Sequence, residues 1–143
     1  SCIGGESTAP TRLTIVAETE WLRFQELGLG LIEKIPPQTL ISIDTYHSET
    51  IFRLARQLRD RPFIWNDISG QSDSEVESFL LSRPNVYYVL SHNLAPSREK
   101  ASSHMDFVSK AAPEEFFWDM VSFFGPKIKR LRAINVHSRV ILD

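Results

Sequence analysis

The sequence has 143 residues, of which 42% are apolar, and carries a formal net charge of −2. That size and balance suit one folded domain with its own core and exclude a disordered chain. With a pI near 6.1, it offers no basic surface to nucleic acid or anionic lipid.

No apolar stretch approaches the ~20 residues that span a bilayer. The opening Ser1-Cys2-Ile3-Gly4-Gly5 has neither the basic nor the apolar region of a signal peptide. A single cysteine, Cys2, cannot form an internal disulfide, which fits a reducing cytoplasm. The sequence starts without Met on strand-like residues, so its beginning reads as cut.

In chain order, Ile3 to Glu6 is the tail of a strand, followed by a polar loop from Ser7 to Arg12. Trp21, Phe24, Leu27, Leu31 and Ile35 recur at steps of three and four and predict an amphipathic helix over 17–34. Gly28 and Gly30 weaken its middle by roughly 1 kcal/mol each, and Pro36-Pro37 ends it. Leu40 to Asp44 is a short buried strand, and 48–59 is a helix with Ile51, Leu54, Ala55 and Leu58 on one side. Phe63 to Asn66 is a strand. Ser72 and Glu75 then make a capping box for a helix over 73–81. Val86 to Leu90 is a strand, and 93–110 reads mostly as loop.

Pro113 suits a first helical turn, and Glu114 and Glu115 complement its positive end. The stripe Phe116, Met120, Phe123, Phe124, Ile128 and Leu131 carries that helix to about Ala133, with a bend or break expected at Gly125-Pro126. The one dense basic run, Lys127, Lys129, Arg130 and Arg132, falls late in it, where cations suit the dipole. Trp21, Trp118 and most Phe residues sit at helical spacing and are expected in the core. Val140 to Leu142 is a last strand, and Asp143 ends the chain.

The order is β-α-β-α-β-α-β-α-β, which predicts a parallel sheet covered by helices, as in a barrel or a doubly wound sheet. No Gly-rich dinucleotide fingerprint opens a helix, and no internal repeat is present. Each strand instead closes on polar residues: Glu6-Ser7-Thr8, Asp44-Thr45, Asn66-Asp67, Ser91-His92-Asn93 and Asp143. In a parallel sheet those ends share one face, where α/β enzymes build their sites.

Asp44, Asn66 and Asp143 together offer two acceptors and one mixed donor-acceptor, which suits a planar heterocycle with amino and amide groups. Thr8 lies on a loop able to offer a hydroxyl and backbone N–H groups to a phosphate. The plainer readings are that Asp44 or Asn66 caps the next helix and Thr8 is a turn residue. His47, His92, His104 and His137 lack paired spacing, so no zinc site is expected. His92 reads as a hydrogen-bonded scaffold residue.

These residues resemble a known family. Ile3-Gly4-Gly5-Glu6-Ser7-Thr8-Ala9-Pro10 is similar to the dihydropteroate synthase signature I-G-G-E-S-T-R-P, and Ile41 to Thr45 to its I-S-I-D-T strand. Asn66 to Gly70 is similar to N-D-I-S-G, and Ile141-Leu142-Asp143 to the start of I-L-D-P-G. The motifs follow the family's order over the whole chain.

The resemblance implies a (β/α)8 TIM barrel, here an incomplete one of about five parallel strands and four helices, with 1–143 as a partial pterin-binding domain. It implies a transferase of folate biosynthesis that joins hydroxymethyl-dihydropterin pyrophosphate to p-aminobenzoate and releases pyrophosphate. Asp44, Asn66 and Asp143 would hold the pterin ring, with Ile68 against its face and Thr8 at the pyrophosphate. Asp44 and Asp143 would stabilise the positive charge that develops when the C–O bond ionises. The complete enzyme would use Mg2+, whose usual ligand is not in this chain, and could be a homodimer; neither nucleic acid nor membrane is a partner.

Some positions depart from the family. Ala9 replaces an Arg, Cys2 an Asp, and Ser91 a Met. The family's first strand and its last two strands, with their Asn, Lys, Arg and His, have no counterpart, so the 143 residues alone are expected to be inactive. The pterin-binding domain of a corrinoid-dependent methyltransferase and a non-catalytic homologue remain as alternatives.

Overall fold

Short runs of Ile, Val, Phe and Tyr pair as strands, and the amphipathic stretches between them coil over one side of the sheet. The computed structural model describes residues 2–4, 17–107 and 113–143. Strands β1 (Cys2–Gly4), β2 (Ile41–Asp44), β3 (Phe63–Asp67), β4 (Val86–Leu90) and β5 (Val140–Leu142) form one parallel sheet in chain order. Between them run α1 (Ala17–Arg23) with its continuation α2 (Leu29–Lys34), then α3 (Ser48–Leu58), α4 (Ser74–Ser82) and α5 (Pro113–Ala133).

A sheet whose spatial order equals its chain order turns one way throughout, as a barrel does. It is not closed: among the described residues β1 pairs with β2 alone and β5 with β4 alone. The α/β class and parallel strands expected from the sequence are therefore present, as an open segment of a barrel.

Side-chain alternation divides the sheet into two chemically different faces. Ile41, Ile43, Phe63, Trp65, Val86 and Tyr88 point into the helical layer and are fully buried. There they meet Ile51, Leu54, Val76, Leu80 and Leu131 in one apolar cluster. Trp65 is its hub, edge-on to Phe52, Phe79 and Tyr88 with ring centroids 6.2, 5.7 and 5.2 Å apart. Each such side chain contributes roughly 1.5–3 kcal/mol by leaving water. The other face carries Ser42, Asp44, Ile64, Asn66 and Tyr87, all only partly covered. It corresponds to the interior of the barrel.

Arginines tie the connections at the end where the strands begin. Arg61 donates to the carbonyls of Ile32, Pro36 and Thr39, holding the turn that enters β2. Arg139 donates to those of Leu80, Arg83 and Val86, closing the end of α4.

Several local expectations are corrected. The first helix is interrupted by a π-helical turn, Phe24–Gly28. The wider turn shifts the phase, so burial runs through Glu20, Trp21, Phe24, Gly28 and Ile32 while Leu27 and Leu31 face outward. Asp73, rather than Ser72, caps α4, its carboxylate accepting the Glu75 and Val76 N–H groups. Pro126 does not break α5, which runs unbroken to Ala133; only one intrahelical donor is lost there. Trp118 is exposed, not core, as are Phe116 and Phe117, because only the Phe124–Leu131 side of α5 faces the sheet. Within the expected loop after β4, Arg98–Phe107 forms consecutive 3-10 turns.

Candidate functional site

The C-terminal ends of β2 and β3 set two of the expected polar residues side by side. Asp44 and Asn66 are register partners on adjacent strands, so both project from the partly covered face. Asn66 pairs in turn with Val89, and Val89 with Ile141. Asp143, two residues beyond Ile141, continues the ladder: its N–H donates to the Leu90 carbonyl at 3.2 Å, and its own carbonyl accepts the His92 N–H at 2.7 Å. It therefore belongs to the same face at the same end. Ser91 Oγ donates to Asp143 Oδ2 at 3.4 Å. Thr8 lies outside the described residues.

Neither Asp44 nor Asn66 caps a helix. His47 occupies the N-cap of α3 without a side-chain bond, and Asp73 caps α4. Asp44 is half-buried, and burial pushes its carboxyl above the ordinary value of 3.8. A carboxylate kept from water in this way is suited to accept hydrogen bonds from a ligand that brings donors.

One residue further along β3 the chemistry reverses. Asp67 follows Asn66, so it points to the opposite face and is fully buried. Its Oδ1 accepts the Ser69 N–H at 2.9 Å, shaping the turn that presents Ile68. Its Oδ2 accepts the Tyr88 hydroxyl at 2.9 Å and an Arg98 guanidinium nitrogen at 2.8 Å. Burial raises the Asp67 carboxyl, and Arg98 beside it pulls the other way.

The same turn is held from a second side. Ser69 Oγ accepts the Gln71 N–H, and Asn93 donates from Nδ2 to the Ile68 and Ala101 carbonyls. Gly70 adopts φ +67°, where a Cβ would lie 2.9 Å from both Phe123 Cζ and the Ser91 carbonyl. Only glycine meets both demands. Ile68 is thus half-buried on a rigid turn next to Asn66.

The two strand ends are also stitched together. Thr45 N–H donates to the Asn66 carbonyl at 3.2 Å, and Trp65 Nε1 to the Thr45 carbonyl at 2.8 Å. Thr45 Oγ1 donates to the buried Glu20 at 2.7 Å. His92 joins Asp143 through its backbone, and its ring packs among Phe116, Phe123 and Phe124.

Asp67 stood in a recognised motif, but its inward direction was legible only through strand alternation. Arg98 carried no sequence signal at all. Among the described residues no group of three or more His, Cys, Asp or Glu side chains is placed to hold a metal ion. A groove of about 580 Å³ between α3 and α4, lined by Phe52, Arg56, Ser78 and Phe79 among others, includes none of the strand-end polar groups. No described helix is long and apolar enough to cross a membrane.

Comparison with curated proteins finds no match. Residues 2–143 match the model of a family described as pterin binding enzyme, whose members are built on the TIM barrel. Taken with the one-way parallel sheet, that match over nearly every residue means that the chain belongs to the pterin-binding enzyme family.

Proposed function

We propose that this chain is the central part of a dihydropteroate synthase, which condenses hydroxymethyl-dihydropterin pyrophosphate with p-aminobenzoate. The carrying observation is the pairing of Asp44 with Asn66 on the open sheet face, with Asp143 on the same face at the same end. The family membership supports a pterin as the ligand. The I-G-G-E-S-T segment ending at Thr8 favours a pyrophosphate-bearing one over a folate.

Asp44 and Asp143 accept hydrogen bonds from the ring N–H and amino groups, and Asn66 supplies a donor and an acceptor between them. Ile68 packs against the ring face. The pterin C–O bond breaks with its electron pair leaving on pyrophosphate. The aniline nitrogen of p-aminobenzoate then forms the C–N bond and loses a proton. The two carboxylates stabilise the cation in between, which is strongest where water is excluded. Thr8 would donate to the departing pyrophosphate. Ala9 and Ser91, where the family carries Arg and Met, favour a non-catalytic homologue as the second reading.

Titrating the intact protein separates these readings. A synthase binds the pterin pyrophosphate more tightly than the corresponding alcohol, and turns it over with p-aminobenzoate. Preference for a reduced methylfolate would assign the chain to a methyltransferase. Binding of neither would leave a scaffold role.

A further inference from the structure

Arg98 stands at the start of the 3-10 segment after β4, and its side chain is only 13% exposed. One guanidinium nitrogen donates to Asp67 Oδ2 at 2.8 Å and to the Tyr46 carbonyl at 3.0 Å. The other donates to the Gln71 carbonyl at 2.8 Å. The guanidinium carbon lies 5.5 Å from the Trp65 ring centroid.

The three acceptors belong to the segments that carry the candidate pterin residues. Tyr46 lies two residues beyond Asp44, between β2 and α3. Asp67 separates Asn66 from Ile68. Gln71 closes the turn on which Ile68 sits. Neutralising a buried Asp67 needs only one contact with a cation. The two further carbonyl bonds go to separate connections, so neither strand end can move relative to the other without breaking one.

We propose that Arg98 is a positioning residue for the pterin site, setting the separation between the Asp44 strand end and the Asn66–Ile68 turn without touching the ring. The inference rests on the pterin-binding reading of that site. Two-point recognition of a flat heterocycle requires its acceptors and donors to be held within about 0.5 Å, through side chains that are themselves held. A planar fork with five donors can bridge a carboxylate and two carbonyls; a lysine ammonium, a point charge, keeps the Asp67 pair and loses the bridge.

The test is a titration of the intact protein with hydroxymethyl-dihydropterin, comparing wild type, Asp44→Asn and Arg98→Lys, and reading stoichiometry as well as affinity. Arg98→Lys is expected to keep the wild-type number of sites and bind roughly tenfold more weakly. Loss of fold would instead lower the number of sites and leave the affinity of the remainder unchanged; that result overturns the proposal. A second variant, Arg98→Met combined with Asp67→Asn, removes both charges so that none is buried alone, and the same weakening is expected. Wild-type affinity in either folded variant, with Asp44→Asn weakened, overturns the role of Arg98 and leaves the pterin site standing. Failure of the wild type to bind any pterin overturns both.

Discussion

Asp44 and Asp67 show how far one residue type can diverge over a single strand end. Both are aspartates closing a β-strand, and burial raises the carboxyl of each. Alternation sends Asp67 into the helical layer, where Arg98, Tyr88 and the Ser69 amide occupy its oxygens. Asp44 goes to the partly covered face, beside Asn66. Because the folded Asp44 holds its proton above the ordinary value of 3.8, the native state binds more protons than the unfolded chain just above that pH. Its contribution to stability therefore falls as pH rises through that window. Asp44→Asn removes this dependence. It is expected to weaken pterin affinity while raising the melting temperature at pH 7 by a few degrees. At about pH 3, below the ordinary carboxyl value, the two proteins should melt together. Thermal melts at both pH values check the sign, and a destabilised variant at pH 7 would remove burial as the cause.

At the scale of elements, the first helix depends on two glycines that look alike in the sequence. Gly28 closes the π-helical turn, and a Cβ there would lie 2.7 Å from Phe24 Cδ1, on a ring that is 2% exposed. Gly30 has nothing within 4 Å of the same position. Both have ordinary propensity reasons to prefer alanine in a helix, worth roughly 1 kcal/mol. Overpacking against the Phe24 ring costs about 1–3 kcal/mol, so it outweighs propensity at Gly28 and is absent at Gly30. Gly30→Ala should stabilise the fold by up to about 1 kcal/mol, whereas Gly28→Ala should destabilise it. Urea unfolding of the two single variants decides it, and equal effects would contradict the packing around the π turn. The wider turn also explains why regular spacing misplaced Leu27 and Leu31. A stripe read at 3.6 residues per turn slips once a turn accommodates one residue more.

Over the whole molecule, the open sheet governs what the 143 residues can do alone. The barrel-interior face leaves Tyr87 38% and Ile141 44% exposed, and β5 has no further strand beside it among the described residues. A closed barrel surrounds its ligand with loops from eight strand ends, and five strand ends leave a pterin open to water on one side. Water weakens the electrostatic stabilisation on which the proposed chemistry depends. No turnover of pterin pyrophosphate and p-aminobenzoate is therefore expected from these residues alone, with self-association through the free sheet edges instead. Sedimentation and a product assay on the isolated chain test both; dihydropteroate formation above background would show that five strand ends suffice.

The sequence alone determined the strand and helix order, the parallel sheet and the strand-end positions of Asp44, Asn66 and Asp143, because period and strand length are local properties. It also carried the pterin-family motifs, through the residue types at those ends. Tertiary structure decided the rest. Only the register shows that Asp44 and Asn66 are neighbours, and only the packing of the folded chain shows that Trp118 lies outside the core. Only the folded chain brings Arg98 across 31 residues to Asp67. A contact of that kind leaves no periodic trace in a sequence, since it depends on where two loops meet in space.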